Sequence, residues 1–443
     1  MVTPANHTTK LSIRWLIIGC IFLISTVAYL DRVNLSVSGR FIANEFGLEN
    51  VQLGWMLSAF VIGYASAQLP AGWLADKVGP RWILVGGVIW WGIFTCSLTV
   101  VPAGKFAIVL LILARFGLGL GEAVMFPASN KIVANWIPQQ ERGLANGIIF
   151  AGVGFGSGIA PPVVAYILVV AGWRSAFWLS AILGVAAGLI WFVVARDRPQ
   201  MHPWVSQQEL ALIESHIPPA VIAPAKSPWR QIVRNPDLLW ITFSFFAFGY
   251  AAYIFFSWFF IYLNDVRKLN LKESAVYTAL PFIAMAIGSP LGGFLSDWLT
   301  KRFGKRAGRC WLSVAGMGIC AILIACGTNV ASAQLASIFL ATGAGALYVS
   351  QSSFWSTSAD IGGPSAGAVA GFMNMGGQMG GALTASLTPY IAKHAGWNVS
   401  FLTAAAFCAC GGMAWTFVKP DRYRSISEAR TADELAQTPP AHR

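Results

Sequence analysis

Twelve stretches of this sequence are apolar and long enough to cross a bilayer, and that pattern leaves few choices of fold. They lie at about 14–38, 51–75, 82–101, 106–129, 143–170, 174–195, 237–263, 274–298, 310–327, 332–353, 365–391 and 397–418. A membrane-crossing helix needs roughly 20 apolar residues at its rise per residue. The chain has 443 residues, 56% of them apolar and 11% charged, with a mean hydropathy of +0.62. Soluble domains carry about a quarter charged residues, so a soluble fold is excluded. Abundant glycine (45) and tryptophan (19) suit close helix packing and anchoring at the membrane surface. The expected class is an all-α membrane protein with twelve transmembrane helices.

An even number of spans puts both chain ends on one side. By that topology 21 Lys and Arg lie on the side of the ends and 7 on the other, with Arg32 and Arg115 left inside spans. The positive-inside rule then places both ends in the cytoplasm. The formal charge of +12 comes from those loops and does not imply nucleic acid as a partner. The first run follows Lys10 and Arg14 as a secretory signal would. It is too long for one, and Asp31-Arg32 interrupts it where a cleavage site would lie, so it reads as a retained helix. The seven Cys (20, 96, 310, 320, 326, 408, 410) sit in or beside apolar runs with no CxxC spacing. They read as small buried hydrophobes, not a disulfide framework or a metal site.

The longest polar break, 196–235, separates the sixth and seventh spans. Ser206-Gln-Gln-Glu209 before an apolar-periodic stretch is a capping-box pattern and predicts a short amphipathic helix on the cytoplasmic surface. The expected organisation is a tail (1–13), a six-helix bundle (14–195), this linker (196–235), a second bundle (236–419) and a tail (420–443). The last segment is polar, contains Pro439-Pro440 and is expected to be disordered.

An internal repeat supports the division. Shifted by 224 residues, Ala28-Tyr29 falls on Ala252-Tyr253, and Gly143, Gly147, Gly152 and Gly156 fall on Gly367, Gly371, Gly376 and Gly380. GWRSAF at 172–177 falls on GWNVSF at 396–401, and at a shift of 221 GWLAD (72–76) falls on GFLSD (293–297). Two halves on one plan are the pattern of a carrier whose site lies between them near mid-membrane.

Four charges break the plan. Arg115 and Glu122 lie in the fourth span, LARFGLGLGEAVMFP, seven residues apart, which is about two helical turns and roughly 10 Å of rise on nearly one face. Asp31-Arg32 is the other ionisable pair so deep in an apolar run. Each unpaired charge there costs at least about 2.5–3.5 kcal/mol, so it persists only facing a partner, a cavity or a ligand. Under the repeat the four meet Phe255, Phe256, Phe339 and Ala346. A purely structural need would recur in both halves; the asymmetry points to function. An Arg offers a carboxylate a planar, permanently charged fork. Carboxyl groups moved into apolar surroundings hold protons nearer neutral pH, and no His lies within a span core (His394 is at the outer end of the eleventh span).

Gly72-Trp-Leu-Ala-Asp76-Lys77-Val-Gly79-Pro-Arg81-Trp82 fits G-x-x-x-D-R/K-x-G-x-R/K-R/K except at Trp82. It resembles the signature loop between helices 2 and 3 of the major facilitator superfamily. A partial copy, Gly293 to Asp297 with Lys301-Arg302, lies between helices 8 and 9. Physically, Gly72 permits close helix approach, Asp76 can cap a neighbouring helix N-terminus, and the cations anchor at anionic lipid. Within that superfamily, Tyr29-Leu-Asp31-Arg32-x-Asn34 with Arg115 and Glu122 resembles the anion:cation symporters, which include bacterial galactonate, glucarate and hexuronate permeases. The likeness includes AQLPAGWLADKVGPR (67–81) and PWVSQQEL (203–210).

The resemblance implies the major facilitator fold, two pseudo-symmetric six-helix bundles. It also implies that Arg32 contacts the substrate carboxylate, that Arg115 pairs with Glu122, and that Asp31 and Glu122 take up protons. Tyr29, Tyr64, Ser352, Ser356, Trp355 and Asn374 would line the site. Gln378, one turn beyond Asn374, is a further candidate. A monomer in the bacterial inner membrane is expected, importing a sugar acid with H+ as the coupling ion and no other cofactor. The fifth span, LANGIIFAGVGFGSGIAPP, has almost no polar side chain on the cavity side beyond Asn146 and Ser157, where galactonate-type members carry an amide; this suits an anion smaller, less hydroxylated or differently oriented than a hexonate. Pro161-Pro162, Pro281, Pro290 and Pro389 read as kinks for a rocking bundle.

The alternatives are a carrier of another small carboxylate, an aromatic acid or dicarboxylate, and a proton-driven exporter. Exporters usually carry a Gly-Pro pair in span 5, where this chain has Gly158-Ile-Ala-Pro161. A sensor would want a soluble output domain, and an enzyme a nucleophile or metal cluster; neither pattern is present.

Overall fold

A computed structural model describes residues 12–48, 50–216, 232–259, 262–269 and 271–420. The two tails beyond 12–420, and 217–231 of the linker, lie outside the described residues. All regular structure among the described residues is helical.

The first half consists of span 1 (Ile13–Phe46), span 2 (Asn50–Val78), span 3 (Pro80–Thr99) and span 4 (Ala107–Glu122 continued by Met125–Trp136). Spans 5 and 6 share one helical stretch, Arg142–Val194, divided at Gly172, whose φ of 75° no β-carbon-bearing residue adopts cheaply. The second half consists of span 7 (Pro236–Ser257), span 8 (Leu271–Phe303), span 9 (Leu312–Asn329), span 10 (Ala333–Val349 continued by Gln351–Gly362), span 11 (Ala366–Ala395) and span 12 (Trp397–Ala414). The helices outrun the apolar stretches because their polar ends stand beyond the hydrocarbon. Among the described residues, ten spans are long and apolar enough to cross a membrane by length and composition. Spans 2 and 11 have the length, but they mix glycine and polar side chains into the run because both line the seam between the halves.

Packing repeats with the sequence. Span 1 packs on the 5–6 stretch as span 7 packs on 11; span 2 on 4 as 8 on 10; span 3 on the 5–6 stretch as 9 on 12. Across the seam, span 2 lies on span 11 and span 8 on the 5–6 stretch. The signature loop and its copy make this symmetry concrete. Asp76 accepts hydrogen bonds from the Gly367 and Ala368 amides (3.2 and 2.9 Å) at the start of span 11 and pairs with Lys131 at 3.1 Å. Asp297 does the same for Gly143 and Leu144 (2.9 and 2.7 Å) at the start of span 5 and pairs with Arg309 at 3.0 Å. A carboxylate at a helix N-terminus satisfies orphan amides and the helix dipole together.

These contacts close one face of the molecule, the face that carries the described chain ends, here called the terminal face. Arg142 pairs with Asp360 at 2.5 Å, Asn130 donates to the Ser358 hydroxyl (3.2 Å), and Arg309 donates to the Gln139 carbonyl (3.0 Å). Closure needs backbones in contact: a β-carbon on Gly367 would meet the Gly72 carbonyl, and one on Gly143 the Gly293 carbonyl. Forcing a larger side chain into such a seam costs about 1–3 kcal/mol, a population shift of roughly 5- to 160-fold. Gly367→Leu is therefore expected to open the terminal face, lengthening the distance between spin labels at exposed Lys77 and Lys301 in electron–electron resonance. An unchanged distance would contradict the seam.

The linker helix Gln207–His216 forms as its capping pattern predicts, with the Ser206 hydroxyl accepting from the Glu209 amide (3.1 Å). The Glu209 carboxylate does not turn back onto Ser206. It caps span 1 instead, accepting from the Ser12 hydroxyl and the Ile13 and Arg14 amides. Upstream, buried His202 bonds the Val194 carbonyl (2.8 Å) through Nε2 and accepts from the Trp204 amide (3.2 Å) through Nδ1, edge-on to Trp136. Burial holds its pKa below the ordinary histidine value, with Arg196 pushing the same way against Val194 and Glu209. A depressed histidine stabilises the neutral form, so this contact is complete at neutral pH and weakens as pH falls through the ordinary value. Once intrinsic exchange rates are corrected for pH, amide protection at 202–210 is expected to fall on acidification in the wild type and to lose that response in His202→Asn.

Candidate functional site

The four intramembrane charges lie within electrostatic reach of one another in the first half, with Arg32 beside the seam, but in a pairing other than the one the resemblance implies. Arg32 donates through Nε to Glu122 Oε2 at 2.6 Å and through Nη1 to the Tyr29 hydroxyl at 3.3 Å. Its guanidinium carbon lies 4.6 Å from the Tyr29 ring, 4.5 Å from Tyr64 and 5.0 Å from Phe60. Three rings thus cage one cation, a favourable arrangement for a planar, weakly hydrated guanidinium. The Arg32 side chain is 12% exposed and that of Glu122 is 0%, so the cation is the member of the pair that a solute can reach.

Arg115 makes no salt bridge to Glu122 in this arrangement. Two helical turns separate them, too far along one helix for direct contact, whereas span 1 brings Arg32 level with Glu122. Arg115 also lies over the Phe60 ring, at 4.8 Å, with Nε and Nη1 buried and without hydrogen-bond partners. Asp31 accepts from the Thr95 hydroxyl at 2.9 Å through Oδ2, while its Oδ1 and Glu122 Oε1 are buried and unpartnered. A closed structural clasp would saturate these groups, because an unmet hydrogen bond on a buried charged group is costly. Four open valences on three of the four residues mark a site with alternative pairings.

From the second half, Asn374 donates to Gln68 Oε1 (2.9 Å) and reaches the Tyr64 hydroxyl (3.5 Å), joining the halves beside Arg32. Gln378 accepts from the Tyr253 hydroxyl at 2.8 Å, and Tyr253 lies within electrostatic reach of Arg32. Trp355 stands in a layer below: its ring is 5.4 Å from Phe126 and 5.0 Å from Phe150, and Phe126 is 6.4 Å from Tyr29. Its Nε1 is buried without a partner. The two serines are engaged elsewhere. Ser352 bonds the Ser289 carbonyl of span 8 (3.3 Å), and Ser356 accepts from Asn146 of span 5 (3.3 Å). Tyr29, Tyr64, Arg32, Asn374 and Glu122 therefore form one cluster, while Ser352 and Ser356 knit helices in this conformation. Gly72, Asp76, Gly79, Arg81 and Asp297 belong to the terminal face; Arg81 holds the Phe192 carbonyl (2.7 Å) and its amide donates to Asp197 (2.8 Å), while Lys77 lies over the Trp73 ring at 4.8 Å.

Gln68, Thr95 and Phe60 were not singled out by the sequence. Gln68 had a signal: an amide four residues after Tyr64 lies on the same helix face. Thr95 had almost none, since hydroxyls in apolar helices usually bond their own backbone.

The Major Facilitator Superfamily profile matches residues 21–385 and 299–441. The chain is 34% identical over 414 residues to a probable sulfoacetate transporter, SauU, of Cupriavidus necator, covering 93% of this chain and 95% of that one. It is 33% identical over 313 residues to a probable galactarate/D-glucarate transporter, GudP, of Bacillus subtilis, covering 68% of each. Among solved structures, the proton:xylose symporter XylE superposes with a TM-score of 0.73 at 15% identity, over 95% of this chain and 98% of that one; at that identity the likeness concerns the fold. With two six-helix halves meeting at the Asp76 and Asp297 caps, the chain belongs to the Major Facilitator Superfamily and is a multi-pass membrane transporter, not an enzyme.

Proposed function

We propose that this protein carries an organic anion into the cell together with protons, by alternating access, as a monomer in a bacterial inner membrane. The observation that carries the reading is Arg32: a caged, partly exposed guanidinium at the seam whose one ionic partner, Glu122, can be neutralised by a proton. The printed names of the relatives, transporters of sulfoacetate and of galactarate or glucarate, support an anionic substrate.

With the terminal face in the cytoplasm, as the distribution of Lys and Arg favours, the described state is closed to the inside. Hydrogen bonds between the halves, among the described residues, run from the Tyr64–Asn374 level to the terminal face. In this state Asp31 and Glu122 take protons from outside, Arg32 is released to the anion's carboxylate, and Arg115 loses its negative neighbours. Tyr29, Tyr64, Asn374 and Gln378 hold the remainder of the ligand. Rocking of the halves breaks the Asp76 and Asp297 caps and opens the inside, where both acids ionise and reclaim the arginines. Two fixed cations balance two fixed anions, so a monoanion leaves the site at −1 unless a proton enters; coupling follows from that balance. The test is uptake by proteoliposomes of radiolabelled sulfoacetate, D-glucarate, D-galactonate and D-glucuronate. An acid-outside gradient should drive accumulation of at least one; accumulation of none would contradict the reading. The sugar-acid expectation, a hexonate, hexarate or hexuronate, is one arm of that test.

A further inference from the structure

The internal repeat supplies a comparison inside one molecule. Asn374 in the second half corresponds to Phe150 in the first. The amide faces Tyr64 and Gln68. The ring at the matching position stacks on Phe126 with centroids 4.7 Å apart and planes at 14°, and lies 5.0 Å from Trp355. Phe126, Phe150 and Trp355 are 3%, 3% and 1% exposed. Phe126 in turn touches the Tyr29 ring, whose hydroxyl accepts from Arg32. Below the Arg32 cage, one ring beneath Tyr29, the two halves thus contribute an aromatic floor of Phe126, Phe150 and Trp355.

The polar side chains that the sequence places beside that floor on spans 5 and 10 are held within the protein. Asn146 donates to the Arg142 carbonyl and the Ser356 hydroxyl, and Ser352 bonds the Ser289 carbonyl. Trp355 Nε1, in the floor itself, is buried without a partner. Beyond the groups around the Arg32 cage, a ligand whose carboxylate sits on Arg32 meets the three rings of the floor and one N–H. Each hydroxyl buried there unpaired would weaken binding roughly fivefold to a hundredfold.

We propose that Phe150, seated on Phe126 and Trp355, sets the length of the substrate: the site takes a two- or three-carbon acid with an acceptor group at its far end and rejects a six-carbon polyhydroxy acid. The inference rests on the organic-anion reading above. Six-carbon chains span more than one ring's depth and bring hydroxyls that the floor cannot pair. A short acid ends where Trp355 Nε1 can donate to it.

Isothermal titration of the purified carrier with sulfoacetate, malonate, D-glucarate and D-galactonate tests it. The short acids should bind at least tenfold more tightly than the six-carbon acids. Phe150→Gln, which replaces a ring of the floor with an amide, should shrink or invert that ratio. Trp355→Phe keeps a ring and removes the N–H, and should weaken short-acid binding by about three- to tenfold while leaving D-glucarate no worse. This arm stands if Phe150→Gln fails to fold. Equal or tighter binding of a six-carbon acid by the wild type overturns the length rule alone, and leaves the carrier reading intact. Binding of no anion overturns the carrier reading and the rule with it.

Discussion

Arg32→Gln is expected to abolish anion binding, a loss of at least about a hundredfold, and to destabilise the protein in the same stroke. The affinity loss follows from removing a bidentate, charge-assisted donor, worth about 1.5–3 kcal/mol per charged hydrogen bond. The stability loss has a separate cause. Glu122 is 0% exposed and has Arg32 as its ion-pair partner at 2.6 Å, and removing one member of a buried pair costs about 3–5 kcal/mol. The two effects are separable. Arg32→Gln with Glu122→Gln should recover most of the thermal stability and none of the binding, measured by thermal shift with and without sulfoacetate or D-glucarate. Arg32→Lys tests the cage: an ammonium keeps the charge but loses the planar fork between Tyr29, Tyr64 and Phe60, so affinity should fall at least tenfold. Wild-type affinity in Arg32→Lys would show that only charge matters.

Removing the carboxylates should uncouple transport without stopping binding. In the wild type Glu122 and the incoming anion compete for one guanidinium, so affinity should rise as pH falls and Glu122 takes a proton. In Glu122→Gln the competitor is gone; affinity should be as high at neutral pH as the wild type reaches in acid, and flat between. Asp31→Asn leaves the Arg32–Glu122 pair in place but removes the charge that Thr95 holds near Arg115. Both variants should exchange labelled for unlabelled anion across liposomes, yet accumulate none in response to a proton gradient. Gradient-driven uptake by both at wild-type rates would remove the carboxylates from the coupling.

Much of this was legible because it follows from local chemistry. Apolar run length gave the spans, and the loop 72–82 gave the Asp76 cap. The four glycines shared at one offset mark backbone contacts that any larger residue would block: Gly143 against Gly293, Gly147 against Ser289, Gly367 against Gly72 and Gly371 against Gln68 are seam contacts, and Gly152, Gly156, Gly376 and Gly380 pack within their own halves. What was not legible is partner choice between helices. Arg115 and Glu122 share a helix face, yet Glu122 bonds Arg32, because rotation and depth of span 1 against span 4 decide who meets whom. Ser352 and Ser356 lie beside Trp355 in sequence but turn to spans 8 and 5. Gln68 became visible only when span 11 was laid against span 2 and Asn374 met it.

The central claim is that an anion on Arg32 and protons on Asp31 and Glu122 cross together. Proteoliposomes loaded with a pH-sensitive dye, with no initial pH difference and the membrane potential clamped, give the most direct measurement. A sulfoacetate or D-glucarate gradient imposed from outside should acidify the lumen in the wild type and fail to do so in Asp31→Asn with Glu122→Gln. Labelled anion entering the wild-type liposomes with no change in luminal pH would contradict the account.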